Sequence, residues 1–345
     1  MSNVYCKRFH GNSDVEVVRR YSRDLLDRLI CAERVELRRQ IPLKVHFGEP
    51  GNVTYLRPEN FDGVIDYLEE RGIESSFIET TVLYGGQRYK RDLHLQTATK
   101  HGFTRLPVII ADGEHGEAFD EVEIDQKHFR RCKIGREFAG YDQLIVLTHF
   151  KGHTLAGFGG ALKQLSMGHA SKGGKLAMHL GVKPRIRPHK CEQCGLCQQR
   201  CAMGAITVGA RTTIDYAKCV GCGACVAICP RQAVTVFTVQ GILHAAFGNK
   251  FTEKIAEYAL AGQQGRHNIY LNFLMNITRG CDCEGRKMSP VLGDIGILAA
   301  IDPVAIDKAS HDLCRQAGKK FRGRSTFAYA EKIGLGSASY QLIEI

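Results

Sequence analysis

Residues 191–208 read CEQCGLCQQRCAMGAITV, and residues 219–236 read CVGCGACVAICPRQAVTV. The two stretches are copies of one pattern, offset by 28 residues. Each copy has four cysteines spaced C-x2-C-x2-C-x3-C and then runs into a short β-type segment that ends in Thr-Val. Cysteines clustered in this way are typical of metal binding, whereas lone buried cysteines usually act as small hydrophobic residues. The repeat therefore defines a small metal-binding module inside a longer chain.

The cysteine spacing suits iron–sulfur cubanes, each of which needs four thiolates. In runs of this kind the first three cysteines hold one cluster and the fourth reaches the other cluster. Zinc suits single C-x2-C pairs but does not explain two complete runs of four. We therefore predict two [4Fe–4S] clusters and an electron-transfer function. The predicted ligands are Cys191, Cys194, Cys197 and Cys229 for the first cluster, and Cys219, Cys222, Cys225 and Cys201 for the second.

The repeat resembles bacterial-type two-cluster ferredoxins. That family usually has a proline after the fourth cysteine of each run, and Pro230 keeps it while Ala202 departs from it. Proline shapes the turn there and is not a ligand, so the departure leaves the predicted ligand set unchanged. The resemblance implies that electrons pass between the two clusters.

Outside the module the pattern is that of an α/β protein. Strand patterns at 43–47, 76–79, 107–110 and 143–148 alternate with helical patterns, which predicts a mainly parallel sheet. A basic, proline-containing linker at 181–190 precedes the cysteines, and a helical pattern and a strand resume at 251–260 and 268–277. The predicted organisation is one α/β domain in two sequence parts, 1–183 and 239–345, with a small α+β ferredoxin-like insert at 184–238.

Composition limits the classes of function. The chain has 345 residues, 44% of them hydrophobic, and a formal net charge of +11. We see no secretory signal and no apolar run long enough for a membrane span, and so expect a cytoplasmic protein without a nucleic-acid partner. Residues 19–39 read as a basic amphipathic helix, which is either a solvated face or a docking site for an acidic redox partner such as a ferredoxin. Exposed clusters are usually oxygen-sensitive, so we expect an anaerobic setting.

A segment rich in histidine and glycine, 147–179, follows a predicted strand and is the candidate active site. Ligands of open α/β sheets usually bind where strands end, and a glycine run that opens a helix resembles a phosphate cradle. A small-molecule substrate is expected here. The candidate catalytic residues are His149, His153, Lys163 and His179, and the candidate cofactor-binding residues are Lys163, Gly157, Gly159 and Gly160.

Cys281 and Cys283 flank a single aspartate, Asp282. Such a Cys-x-Cys pair suits a further soft-metal site or a redox thiol pair, and two partly buried cysteines in a turn is the third interpretation. A further metal or organic cofactor in the α/β domain is therefore an open prediction.

Five segments resemble the uncharacterised family called domain of unknown function (DUF) 362. They are KVHFGEPGNVTYLRPE (44–59), LYGGQRY (83–89), THFKGHTLAGFGGALKQLSMG (148–168), CDC (281–283) and GDIGILAAIDPVAID (293–307). Members of that family often carry an inserted two-cluster ferredoxin module. The resemblance implies the same arrangement here, but it names no reaction.

A second resemblance is to the nickel-pincer lactate racemases. Their catalytic histidine, cofactor-linked lysine and nickel-binding histidine resemble His153, Lys163 and His179 in spacing. The second catalytic histidine of that family falls near Gln87, and glutamine cannot serve as a base. The resemblance thus implies a related pocket with a different reaction.

Three functional hypotheses follow. The first is an iron–sulfur oxidoreductase whose clusters pass electrons between an external carrier and a site in the α/β domain. That site would be formed by His149, His153, Lys163, His179 and the Cys281–Cys283 loop. The second is an electron carrier or electron-delivering subunit without catalysis of its own. The third is a racemase or isomerase of the nickel-pincer type.

Overall fold

The computed structural model describes residues 1–10, 13–179, 184–201, 203–219, 224–235 and 250–345. The predicted cluster ligand Cys222 and the departing residue Ala202 lie outside the described residues. Within that part of the chain, no helix is both long and apolar enough to cross a membrane.

The strands and helices are numbered here in chain order. The strands are β1 Ser2–Arg8, β2 Leu43–Lys44, β3 Phe77–Glu79, β4 Val108–Ile110, β5 Phe119–Glu123, β6 Arg131–Gly135, β7 Ile145–His149, β8 Lys151–His153, β9 Gly157–Gly159, β10 Arg185–Ile186, β11 Ile206–Thr207, β12 Thr213–Ile214, β13 Val234–Thr235, β14 Ile269–Leu274, β15 Gly296–Ala300 and β16 Tyr340–Glu344. The α-helices are α1 Val15–Glu33, α2 Asp62–Glu69, α3 Arg91–Lys100, α4 Ala161–Ser166, α5 Lys172–His179, α6 Leu196–Gln199, α7 Ala224–Ile228, α8 Phe251–Gln263, α9 Pro303–Gln316 and α10 Ser325–Lys332. Short 3-10 helices cover Pro58–Phe61, Arg136–Gly140 and Pro188–Lys190.

One large sheet organises the protein, and it confirms the predicted α/β class with a mainly parallel sheet. Its eight strands have the order β16-β1-β15-β14-β7-β2-β3-β4. Neighbours are parallel except where β15 lies antiparallel between β1 and β14. The sheet takes strands from both sides of the cysteine module, since β7 pairs with β14. The exact domain boundaries stay a prediction.

Helices cover both faces of the sheet because successive strand residues point to opposite sides. In β14, Leu271 and Phe273 pack into the core under α1 and α2, whereas Tyr270 and Leu274 pack into the core under α4, α8 and α9. Two apolar cores therefore enclose the central strands, as expected of a three-layer α/β domain.

Helix α1 differs from its prediction in length and in charge. It is capped by Asp14, whose carboxylate accepts the Val17 N–H at 2.9 Å, and it ends at Glu33 because Arg34 takes a left-handed conformation (φ 53°). Two of its four arginines are paired with α2: Arg19 binds Asp66 at 2.6 Å, and Arg23 binds Glu70. These acids offset part of the positive charge on the helix face that the sequence suggested as a docking site.

The parallel strands bring their carboxyl ends to one edge of the sheet. The loops after β2, β3, β7 and β14 therefore converge there. They carry four stretches of the chain, residues 45–49, 80–88, 150–160 and 275–284, and this edge is where ligands of open α/β sheets bind.

Candidate functional site

A cavity of about 200 Å³ lies at this edge of the sheet. Three of the predicted catalytic residues line it, namely His153, Lys163 and His179, together with both cysteines of the Cys-x-Cys pair. The segment 147–179 and the loop after β14 are distant in sequence, and the β7–β14 pairing brings them together. The first hypothesis combined these two stretches in one site, and side chains of both line this one cavity.

Cys281 is the centre of a compact group of polar atoms. The Lys163 ammonium donates a hydrogen bond to Cys281 Sγ at 3.3 Å, and the Cys283 backbone N–H donates to the same sulfur at 3.5 Å. The ligating atoms of His153, Cys281 and Cys283 all lie within 4.8 Å of one another. Hydrogen bonding by Cys283, the Lys163 charge and His153 lower the pKa of Cys281 well below its ordinary value, although burial opposes this. A thiolate is therefore favoured at Cys281.

Lys163 is partly buried beside this group. Burial disfavours its charged form, but the neighbouring Cys281 and Cys283 sulfurs more than compensate and raise the pKa of Lys163 to about 12. Lys163 is therefore a fixed positive charge in the cavity.

The hydrogen bonds of His153 fix its neutral tautomer. Its Nδ1 accepts the backbone N–H groups of Leu155 and Ala156 at 3.2 and 3.0 Å, so the ring proton is on Nε2. The same ring hydrogen-bonds the Cys281 side chain, and burial lowers the pKa of His153. A metal on Nε2 requires the proton on Nδ1, which two backbone donors oppose. The two sulfurs are consequently the better soft-metal donors, and His153 suits proton donation.

His179 lines the cavity beside an aromatic ring. Its ring is 4.9 Å from that of Phe251, the first residue of α8, and the His153 ring is 6.5 Å from the same phenyl group. Burial lowers the pKa of His179 to about 4, so this histidine is neutral at physiological pH.

His149 lies beside the loop that carries Cys281 and Cys283. It is not among the residues lining the cavity, and both of its ring nitrogens have partners. Nδ1 bonds the Asp282 carboxylate at 2.9 Å, and Nε2 bonds the Met275 carbonyl at 2.9 Å. The Lys151 ammonium donates to the same carboxylate at 2.6 Å. His149 therefore positions the loop that carries Cys281 and Cys283, and its catalytic role stays a prediction.

Asp282 is the anchor of that loop. Burial alone would raise its pKa, but His149 and Lys151 hold the pKa of this carboxyl well below its usual range. The side chain is 1% exposed, and the Asp282 backbone carbonyl accepts the Glu49 N–H at 3.0 Å. The Cys-x-Cys pair is thus carried by a rigid, ion-paired turn.

The glycine run differs from a phosphate cradle. The N–H groups of Ala161 and Leu162, at the start of α4, donate to the Asp307 carboxylate at 2.7 and 2.9 Å. A protein carboxylate thus occupies the helix start that a phosphate would need. Gly159 and Gly160 line the cavity, whereas Gly157 packs against the Arg322 backbone in a left-handed conformation (φ 88°). Cofactor binding by these glycines stays a prediction.

Replacing Gly160 with alanine is expected to destabilise the fold. A Cβ at this position would lie 2.2 Å from Asp307 Oδ1, and Asp307 is buried and hydrogen-bonded to two backbone amides. Overpacking of this kind costs about 1–3 kcal/mol of the free energy of unfolding, which urea denaturation would measure. Gly140→Ala is the matched control because its Cβ would meet nothing within 4 Å. Equal stability of the two variants would contradict this packing.

The sequence analysis did not identify two cationic residues that line the cavity, Arg88 and Lys175. Arg88 is fully buried, and it binds Glu49 at 2.8 Å and the Tyr84 hydroxyl at 2.6 Å. Lys175 donates to Thr80 Oγ1 and to two backbone carbonyls. One feature of the sequence could have identified Arg88. It follows Gln87 in the LYGGQRY segment, and the racemase resemblance places Gln87 near the site.

The four cysteines predicted for the first cluster line one small cavity. Three come from the first copy, Cys191, Cys194 and Cys197, and the fourth, Cys229, comes from the second copy. The described residues of the module also keep the symmetry of the repeat: the Ala205 N–H donates to Cys201 Sγ at 3.2 Å, and the Ala233 N–H donates to Cys229 Sγ at 3.1 Å. The residue numbers of the second hydrogen bond are those of the first plus 28, the offset of the repeat.

The strands of the module follow the same symmetry. The first strand of each copy pairs with the last strand of the other copy, β10 with β13 and β12 with β11. Cys197, Ile206, Cys225 and Val234 form its small apolar core. The second set of predicted ligands is described only in part, because Cys222 lies outside the described residues.

The fold and this site define an α/β protein with a cysteine-rich module and a buried thiol-containing cavity. The chain belongs to the family described as Domain of unknown function (DUF362), whose pattern matches residues 41–312. No curated protein matches the chain.

Two solved structures are similar to the chain. One is a protein from Thermotoga maritima, with 12% sequence identity and a TM-score of 0.43, over 89% of this chain and 59% of that chain. Another is a lactate racemase apoprotein from Thermoanaerobacterium thermosaccharolyticum, with 14% identity and a TM-score of 0.40, over 80% of this chain and 51% of that chain. The chain therefore spans little more than half the length of either structure.

Proposed function

We propose that this protein is an iron–sulfur oxidoreductase in which two [4Fe–4S] clusters exchange electrons with a substrate site in the α/β domain. The observation that carries the proposal is the single cavity lined by Cys191, Cys194, Cys197 and Cys229. Cysteines of both copies meet there in the crossed arrangement that two cubanes require. Thiolates are also the donor type that these clusters use, so the residues fit the group.

The module's backbone supports the same assignment. N–H groups donate to the sulfurs of Cys201 and Cys229, and such bonds stabilise thiolate charge around a cluster. When bound, the clusters would supply one-electron transfer. The module's apolar core, which includes Val234 and Ile206, would keep water away from the buried ligands Cys197 and Cys225.

The second part of the proposal concerns the cavity at the sheet edge. Lys163 would hold a negatively charged group of the substrate, and His153 would donate or accept a proton at Nε2. Cys281 and Cys283 would either hold a soft metal or act as a thiol pair. His179 and Phe251 would complete the cavity lining.

Reoxidation of the reduced protein tests the coupling between the two parts. Protein reduced with dithionite and freed of excess reductant would be mixed with a panel of small anionic and neutral two-electron acceptors. We expect an acceptor whose reaction is slowed strongly by His153→Ala and Lys163→Ala, while reoxidation by a ferricyanide control stays unchanged. If both variants left every detectable ligand, metal and acceptor reaction intact, the cavity would be abandoned as the site.

The surface of the module favours an acidic one-electron carrier as the partner. Within 184–235 the exposed cations are Arg185, Lys190, Arg200, Arg211, Lys218 and Arg231, against two acids, Glu192 and Asp215. Cys194 is exposed on the same module, and Lys190 and Arg231 line its cavity. We therefore propose that docking occurs on the module rather than on α1.

Charge reversal at Lys190 and Arg211 is expected to slow reduction by an acidic ferredoxin about tenfold at low salt. The difference should shrink as ionic strength rises, because salt screens exposed charges. Stopped-flow kinetics would measure it, with Lys319→Glu/Lys320→Glu as a control outside the module and dithionite reduction as a check on cluster content. Equal rates for the module variant and the control would contradict docking at this surface.

A racemase or isomerase of nickel-pincer type is the second candidate. The observation that favours it is that His153, Lys163 and His179 all line one cavity. Nickel retained after anaerobic purification, and lost in Lys163→Ala and His179→Ala, would support this candidate. An electron carrier without catalysis is the third, and it would show salt-dependent reduction but no small-molecule binding.

A further inference from the structure

Cys281 and Cys283 lie side by side in one turn that lines the cavity at the sheet edge. Their sulfur atoms are within 4.8 Å of each other, and the Cys283 N–H donates to Cys281 Sγ at 3.5 Å. The Glu284 N–H donates to the Cys281 carbonyl at 2.9 Å, and this hydrogen bond closes the turn. Both cysteines are free thiols. Rotation of their side chains would bring the two sulfurs to the roughly 2 Å of a disulfide bond.

The turn around this pair is fixed on all sides. Between the two cysteines, the Asp282 carboxylate is bound by His149 and Lys151. Gly280 before the pair and Gly285 after it are closely packed, because an added Cβ would lie 2.6 Å and 2.7 Å from neighbouring oxygen atoms. The two thiols are therefore held together before they react, so little conformational freedom is lost when they join.

The charges around the pair favour sulfur redox chemistry over a bound metal ion. The Lys163 ammonium lies 3.3 Å from Cys281 Sγ, and the Lys151 ammonium lies 2.6 Å from the Asp282 carboxylate, so two positive charges would repel a cation here. The same ion pair engages Asp282. His153 turns its protonated Nε2 toward the sulfur, since two backbone N–H groups occupy Nδ1. Two sulfurs remain, whereas zinc sites use at least three protein ligands.

We propose that Cys281 and Cys283 form a reversible disulfide, which is the two-electron centre of the α/β domain. This inference rests on the proposed function in taking the two clusters as the source of electrons. Reduction of the centre breaks the S–S bond: each of the two reduced clusters gives up one electron, and each sulfur takes one proton from solvent. Two one-electron donors thus supply the electron pair that a disulfide requires.

The dithiol would then reduce a small two-electron acceptor in the cavity. The acceptor gains two electrons and two protons, and the S–S bond forms again. The close spacing of the cysteines favours this cycle, because a disulfide between residues two apart closes a small ring. Strained disulfides are reduced more readily than structural ones, which puts this centre within reach of low-potential clusters.

Peptide mass spectrometry tests for the disulfide directly. Anaerobic full-length protein would be equilibrated with set ratios of reduced and oxidised glutathione, quenched in acid, denatured and treated with N-ethylmaleimide. Trypsin then releases residues 280–286, GCDCEGR, which contain both cysteines and no other. In oxidising buffer we expect this peptide to lack two hydrogen atoms and to take up no N-ethylmaleimide. In reducing buffer it should take up two N-ethylmaleimide groups.

The titration also has an expected slope. Each tenfold change in the ratio of disulfide to dithiol should require about 30 mV, the value for a two-electron couple. The matched control is the tryptic peptide 29–34, LICAER, whose exposed Cys31 has no second cysteine in the peptide and reports only mixed disulfides with glutathione. Two N-ethylmaleimide groups on residues 280–286 in fully oxidised glutathione, or mixed disulfides alone, would overturn the proposal.

Counting electrons separates this inference from the proposed function. Oxidised protein would be titrated anaerobically with dithionite. The wild-type protein should take up about four electrons per chain, two in the clusters and two in the disulfide. Cys283→Ser should take up about two, and the control Cys31→Ser about four. Equal uptake by wild type and Cys283→Ser would overturn the disulfide. Uptake of about two electrons by wild type and none by Cys283→Ser would support the disulfide and contradict the clusters.

Discussion

Replacing Cys194 with alanine is expected to remove about half of the protein's iron and acid-labile sulfide, roughly four atoms of each. Cys194 is exposed and lines the cavity shared with Cys191, Cys197 and Cys229, so the variant loses a cluster ligand and little packing. Cys31→Ala is the matched control, because Cys31 is also exposed but lies in α1. Colorimetric iron and sulfide assays on anaerobically purified protein would measure the loss.

The double variant Cys194→Ala/Cys229→Ala gives the sharper result. These cysteines belong to different copies of the repeat but line the same cavity, so the double variant should still keep about four iron atoms. If each copy built its own cluster, the double variant would lose both clusters. Near-complete loss of iron would therefore contradict the crossed assignment, and unchanged iron in either single variant would contradict ligation altogether.

Asp282→Ala is expected to lower the free energy of unfolding by about 3–5 kcal/mol. The substitution leaves the Lys151 ammonium buried without its carboxylate, and it removes the partner of His149 Nδ1. Urea denaturation would measure the loss. The exposed pair Arg23–Glu70 supplies the control, since Glu70→Ala should cost less than about 1 kcal/mol.

A second substitution separates lost charge pairing from lost packing. Lys151→Met in the Asp282→Ala background removes the unpaired charge, so the double variant should be more stable than Asp282→Ala alone. If the double variant is as unstable as Asp282→Ala, or if Asp282→Ala unfolds like wild type, the ion-paired turn is not what holds the Cys281–Cys283 loop.

Local patterns predicted the parallel part of the sheet well. The predicted strands at 43–47, 76–79, 107–110 and 143–148 correspond to β2, β3, β4 and β7. Asp302 caps helix α9, as a residue before proline often does. The antiparallel position of β15 between β1 and β14 was not predicted. Strand direction depends on which strands become neighbours, and a single strand pattern carries no such information.

The sequence suggested most members of the candidate site, but not all of them. His153, Lys163 and His179 lie together because one glycine-rich stretch follows β7. The first hypothesis also included the Cys281–Cys283 loop, whereas the presence of Arg88 depends on strand order and was not predicted. His149 shows that residue type and position in the chain do not fix the direction of a side chain. Its ring turns toward Asp282. Similarly, the carboxylate that fills the start of α4 comes from Asp307, more than 140 residues away.

The measurement that tests the central claim most directly is metal and acid-labile sulfide analysis of anaerobically purified full-length protein, with an EPR spectrum after dithionite reduction. We expect about eight iron and eight sulfide per chain and the signals of two interacting cubanes. Nickel, zinc or iron beyond that amount would indicate an additional metal at the Cys281–Cys283 cavity. Iron far below eight, or zinc in its place, would contradict the proposed redox function.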